Sequence, residues 1–151
     1  MIFINDTTST NPGSTLFNLK LRISYFRKIY LILGGENKGF KVSDYKELID
    51  FLAKHRQKIK ITLLAGSASE LMKKNKDWKI LDVLIETDSM QKAVIMSFND
   101  AKSGLARRPT PEGDLILLSP AAASFNLFTD EFARGRVFKQ AFLNLKVKAL
   151  K

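Results

Sequence analysis

The sequence predicts an α/β domain built on a mostly parallel sheet with helices on both faces, and three observations carry that expectation. Short β-favouring runs alternate with longer segments of helical period, the order that parallel strands and crossover helices require. Two of the runs, Ile29 to Leu33 and Asp114 to Leu118, are almost continuously apolar, as strands covered on both faces are. Gly34-Gly35, Ala65-Gly66 and Ser119-Pro120 follow directly on runs of this kind and punctuate them.

Each element has its own warrant. Ile2 to Ile4 forms a first strand, and a polar loop from Asn5 to Asn11 leads to Pro12, whose fixed φ and missing N–H suit the first turn of a helix running towards Leu21. After the strand Ile29 to Leu33, Ser43 is expected to cap a helix that ends near Lys54, with Tyr45, Leu48, Ile49 and Leu52 on one face. Lys58 to Leu64 is a third strand, and Ser67 is expected to cap a short helix carrying Leu71 and Met72. Ile80 to Ile85 is read as a fourth strand, and Ser89 to Lys102 as a helix with Met90, Ala93, Val94 and Phe98 inward. Gly104 to Gly113 is read as a basic, proline-containing connection to the strand Asp114 to Leu118. Phe132, Val137, Phe138, Ala141, Phe142 and Leu145 then mark a long amphipathic helix with a lysine-rich end, which suits the negative pole of its dipole. The sum is a three-layer, Rossmann-like arrangement.

A chain of 151 residues fits one domain, so residues 1–151 are expected to share a single core. A hydrophobic fraction of 45% with 26% charged residues is that of ordinary globular chains and excludes a disordered one. No cysteine is present, which rules out disulfides and thiolate metal sites and suits a cytoplasmic setting. The start, MIFINDTTSTNPGS, turns polar too soon for a signal peptide, and no apolar run approaches bilayer length, so no membrane partner is expected. A formal charge of +10 raises the question of nucleic acid, but the charges are dispersed. The densest patch, Lys73, Lys74 and Lys76, has no interleaved aromatics for stacking on bases, so it reads as a solvated helix face.

In an open parallel sheet, ligands bind at the carboxyl ends of the strands, which directs attention to three loops. In the Asn5 to Asn11 loop, Asp6 could grip a ribose hydroxyl, although Asx and Ser/Thr turns account for the composition equally well. In Gly34 to Gly39, Lys38 could bring a point charge to a carboxylate or phosphate, against the alternative of a plain glycine turn. From Ser119 to Phe132, the small residues Ala121, Ala122, Ala123 and Ser124 would let a ligand approach backbone amides, or would pack beneath the sheet with Ser124 as a helix cap. Neither G-x-x-x-x-G-K-[ST] nor G-x-G-x-x-G occurs, which argues against this domain alone cradling a nucleoside triphosphate. The single histidine, His55, lies in a polar stretch with no nucleophile placed near it.

Taken in order, Phe3-Ile4-Asn5-Asp6 with Ser9-Thr10-Asn11-Pro12, then LILGGENK from Leu31 to Lys38, then LLSPAAASF from Leu117 to Phe125 with Phe132 and Arg134-Gly135, resemble the Mur ligase family, specifically its D-glutamate-adding members, across almost the whole chain. The resemblance implies an ATP-dependent acid–amino-acid ligase of peptidoglycan precursor synthesis. The carboxylate of UDP-N-acetylmuramoyl-L-alanine is phosphorylated and the D-glutamate amine attacks the acyl phosphate. It further implies that this chain is only the C-terminal, amino-acid-binding domain. The N-terminal UDP-binding domain and the central domain, which binds most of the ATP and Mg2+, would be missing, and the chain alone would be inactive. The expected partners are D-glutamate, and the UDP-sugar and ATP together with the other domains; a monomer is expected.

Carried onto these positions, the resemblance sets Thr10 and Lys38 at one carboxylate of D-glutamate, and Ser124 with Phe125 at the other, with Phe132 as a further substrate contact. Asp6 would face the ATP ribose and Asn11 would support the same loop near the nucleotide. Two positions depart from the family pattern: Thr8 stands where lysine is frequent, and Glu131-Phe132 inverts the usual order of phenylalanine and glutamate before Arg134-Gly135. A fragment of a longer ligase is the first expectation; a free-standing, non-catalytic binding module of the same origin is the second.

Overall fold

Apolar runs starting at Ile29, Ile59 and Leu115 become the three inner strands of one five-stranded sheet. The computed structural model describes residues 1–107 and 112–149. The elements are β1 (Ile2–Asn5), α1 (Pro12–Arg22), β2 (Lys28–Gly34), α2 (Lys46–Lys54), β3 (Ile59–Leu64), α3 (Ser67–Lys73), β4 (Val83–Thr87), α4 (Met90–Arg107), β5 (Asp114–Leu118) and α5 (Glu131–Ala149). The strand order is β1-β5-β2-β3-β4 and every pairing is parallel, which sharpens the expected "mostly parallel" to entirely so among the described residues.

Alternation along the inner strands divides the core in two. Ile29, Leu31, Leu33, Ile61, Leu63, Leu115 and Leu117 meet Leu16 and Leu19 of α1, Leu48, Ile49 and Leu52 of α2, and Ala68 and Met72 of α3. Tyr30, Ile32, Leu64, Ile116 and Leu118 meet α4 and α5 through Met90, Ala93, Val94, Phe138 and Ala141 on the opposite face. Each fully buried Leu or Ile contributes roughly 1.5–3 kcal/mol relative to exposure, so both helical layers are held chiefly by these contacts.

Four boundaries differ from the sequence reading. Trp78–Ile80 forms a 3-10 turn and β4 starts only at Val83, because the apolar Trp78 packs against the first core cluster from a turn instead of a strand. Ser43 lies inside a 3-10 turn, Val42–Tyr45, that precedes α2; there the Lys41 amide donates to the Asp44 carboxylate over 2.7 Å. Ser67 is the first residue of α3 and not its cap. Helix α4 runs on through Gly104 to Arg107, so the expected connection loses its first four residues, and the stretch 108–111 lies outside the described residues. At Gly104 an added Cβ would come within 3.2 Å of the Arg27 guanidinium, so there is little room for a side chain. Arg27 also pairs with the fully buried Asp114 at the amino end of β5.

Candidate functional site

The strand order explains why the three loops meet. Since β1, β5 and β2 are adjacent, the segments that leave their carboxyl ends (residues 6–11, 119–130 and 35–41) are neighbours above the same edge of the sheet. Backbone hydrogen bonds then tie them together. Ala121 donates to the Ser9 carbonyl at 2.9 Å, Gly34 to the Pro120 carbonyl at 2.8 Å, and Glu36 and Ala123 exchange both bonds of an antiparallel bridge at 3.0 and 2.9 Å. The site is therefore built on paired backbone rather than on free loops.

Asp6 organises the first loop. One carboxylate oxygen accepts from the Ser9 hydroxyl at 2.5 Å, the Asn18 amide of α1 at 2.7 Å and the Ser119 hydroxyl at 2.8 Å. Asn11 caps α1, accepting from the Ser14 amide at 2.9 Å, so its side chain satisfies one of the orphan amides of the first turn. Both residues expected near a nucleotide thus hold the loop in shape.

The second loop delivers the charge. The Lys38 ammonium donates to the Thr10 hydroxyl at 3.3 Å, which brings together two of the expected substrate residues from loops that follow different strands. Lys38 is solvent-exposed and has no carboxylate partner among the described residues. A cation held in this way can accept an incoming carboxylate without first breaking an ion pair.

Glu36, which the sequence reading passed over, fixes the start of this loop. Its carboxylate accepts from the Ser67 hydroxyl at 2.5 Å and, more weakly, from the Ser67 amide at 3.4 Å, a favourable place for negative charge at the start of α3. Gly66 makes this approach possible: with φ at +154°, any Cβ there would sit 2.2 Å from the Gly35 carbonyl oxygen.

In the third loop Ser124 is buried, while Phe125 and Phe132 are each 59% exposed and flank the loop from its middle and from the start of α5. The possibility that Ser124 caps a helix is overturned: α5 starts at Glu131, and Asp130 accepts from the Ala133 amide at 2.6 Å. Phe132 lies in the first turn of that helix. Tyr45, fully buried, donates its hydroxyl to the Ala121 carbonyl at 3.0 Å and so supports Ala121 in the left-handed region, φ 55°.

Arg134 is the other residue whose part the sequence reading did not assign beyond its place in a motif. Its guanidinium, 1% exposed, donates to Thr7 and Ala122 and so spans the first and third loops from α5. The signal available was an arginine between small residues at the start of an otherwise apolar helical face.

Among the described residues there is no group of three or more His, Cys, Asp and Glu placed to hold a metal ion. No described helix is long and apolar enough to cross a membrane.

Comparison with known proteins agrees with the resemblance read from the loops. Over 144 residues, 95% of the chain, 35% of positions match the UDP-N-acetylmuramoylalanine--D-glutamate ligase of Pelotomaculum thermopropionicum. The enzymes of that name from Elusimicrobium minutum and Clostridioides difficile match at 38% and 37% over 95% and 97% of the chain. The chain spans only 28% of the length of each of these relatives. No family model matches the chain. A solved structure, MurF ligase from Thermotoga maritima in complex with ADP, is a distant likeness, with TM-score 0.48 and 14% identity over 93% of this chain and 27% of that one. The chain is thus homologous, over almost its whole length, to a segment of the D-glutamate-adding Mur ligases.

Proposed function

We propose that this chain is the C-terminal, amino-acid-binding domain of the ligase that joins D-glutamate to UDP-N-acetylmuramoyl-L-alanine. The observation that carries the reading is the Lys38–Thr10 contact, a cation without a carboxylate partner among the described residues beside a hydroxyl, on the loops that also carry the family-like motifs.

D-Glutamate brings two carboxylates and one amine. Lys38 would neutralise one carboxylate while Thr10 donates its hydroxyl to it; the Ser124 hydroxyl and the Phe125 backbone amide would hold the other, with Phe132 closing the apolar side. With both carboxylates fixed, the amine is the only nucleophile left free, and its orientation towards an acyl phosphate supplied from another domain removes much of the entropic cost of attack. In the complete enzyme ATP provides the phosphoryl group that activates the muramoyl-alanine carboxylate, with Mg2+ held by a central domain outside this chain. Asp6 and Asn11 would present the first loop to the nucleotide across the domain cleft.

The test is a chimera. This chain replaces the matching segment of the Pelotomaculum thermopropionicum ligase, and ADP release is followed with UDP-N-acetylmuramoyl-L-alanine and either D-glutamate or none. Release that depends on D-glutamate and is lost with Lys38→Ala supports the reading. A soluble, nucleotide-binding chimera that shows no such release contradicts it and favours a non-catalytic module.

A further inference from the structure

We infer that Arg134 is a positioning residue that sets the distance between the two halves of the amino-acid site without touching the substrate; the inference rests on the proposed glutamate reading. Its Nε donates to the Thr7 hydroxyl at 3.1 Å, one terminal nitrogen to the Thr7 carbonyl at 2.7 Å and the other to the Ala122 carbonyl at 3.0 Å. Thr7 stands three residues before Thr10, and Ala122 two before Ser124. The neighbour of Ala122, Ala123, is bridged to Glu36, two residues before Lys38. One planar fork therefore ties the segment that carries Thr10 to the one that carries Ser124, and the Ala123–Glu36 bridge links the latter to the segment of Lys38.

The surroundings leave Arg134 little freedom to do anything else. Burial pushes its pKa down to about 10, with the nearby Glu131 charge opposing, so the guanidinium stays charged at neutral pH. It forms no ion pair among the described residues, and its named acceptors are two carbonyls and a hydroxyl. A buried cation held only by neutral oxygens is a costly way to stabilise a fold, since an apolar side chain would pack there without desolvating a charge. What arginine offers instead is a rigid fork that reaches two loops at once, which lysine cannot reproduce. Helix α5 is also pressed onto the first loop. Thr7 donates its hydroxyl to the Glu131 carbonyl at 2.7 Å, Asn5 donates to the Gly135 carbonyl at 3.0 Å, and a Cβ on Gly135 would lie 2.8 Å from the Thr7 methyl.

The experiment compares the 151-residue chain with Arg134→Lys, which keeps the charge but not the fork, and Thr7→Ala, which keeps Arg134 and removes one acceptor. Amide hydrogen exchange is measured first. In at least one folded variant, Glu36, Ala121 and Ala123 should exchange about tenfold faster or more, while core amides such as Leu31, Ile61 and Leu117 slow or quicken far less. D-Glutamate affinity, from amide shifts, should fall about tenfold in the same variant. Equal acceleration of loop and core amides, or unchanged affinity, overturns the inference by making Arg134 a general stabiliser or a bystander. If the unaltered chain does not respond to D-glutamate, the amino-acid reading fails, and the exchange pattern still decides whether Arg134 sets the loops.

Discussion

The Lys38 ammonium stands 3.3 Å from the Thr10 hydroxyl although β2 and β1, which launch their loops, are not neighbours in the sheet. Strand β5 lies between them, so the two loops arch over the start of the third. Lys38 is exposed and its described hydrogen bond is to a neutral hydroxyl, so its removal should leave the fold almost untouched. Lys38→Ala is expected to weaken D-glutamate binding by about tenfold or more, the loss of one charge-assisted contact, with a change in stability of about 0.5 kcal/mol or less. Parallel titration and urea unfolding check both halves.

Tyr45 supports the third loop from below. Burial, with help from Asp44, pushes its hydroxyl pKa up to about 12, so it remains a donor to the Ala121 carbonyl at any ordinary pH. Tyr45→Phe leaves the ring in the core and removes only the hydroxyl, so a loss of about 1–2 kcal/mol is expected in urea unfolding. The accompanying amide shifts should centre on Ala121 to Ser124, and a variant as stable as the parent would show that this bond does not hold the loop.

A third expectation concerns acid. Asp100 of α4 accepts from the Tyr30 hydroxyl at 2.9 Å and from Lys60 at 3.1 Å between helix and sheet. Burial would raise its pKa, but the hydrogen bonds from Lys60 and Tyr30 and the positive charges of Lys60 and Lys28 outweigh it and hold it below the ordinary 3.8. A carboxyl depressed on folding stabilises the native state above its unfolded pKa, and that contribution is lost as pH falls below 3.8 towards the folded value. Asp100→Asn should therefore be less stable than the parent near neutrality and lose less stability on acidification through that window, as followed by thermal unfolding at a series of pH values.

Much of this architecture was legible because burial writes itself into composition. The runs Ile29 to Leu33 and Asp114 to Leu118 read as strands covered on both faces, Lys58 to Leu64 as a third strand, and Pro12 and the apolar period after it marked α1. What failed depended on tertiary contacts. Gly104 looks like a breaker but sits in α4, where its helix penalty of about 1 kcal/mol is small beside the burial of helix neighbours such as Ala101. Trp78 and Ile80 have strand-like character yet belong to a turn that caps the first core cluster. The three loops were found from their sequence, but their adjacency depends on β5 inserting between β1 and β2, which no local pattern encodes. Glu36 and Arg134 stand in the sequence only as members of the quoted motifs, and only the folded chain reveals one as the partner of Ser67 and the other as buried between loops.

The most direct test of the central claim is a titration of this chain with D-glutamate and, separately, L-glutamate, recorded through backbone amide shifts. The account predicts saturable shifts with D-glutamate, confined to the segments around Thr10, Lys38 and Ser124, and weaker or absent shifts with the L enantiomer. Shifts of equal size with both enantiomers, or spread over residues remote from those segments, would contradict a stereospecific amino-acid site on these loops.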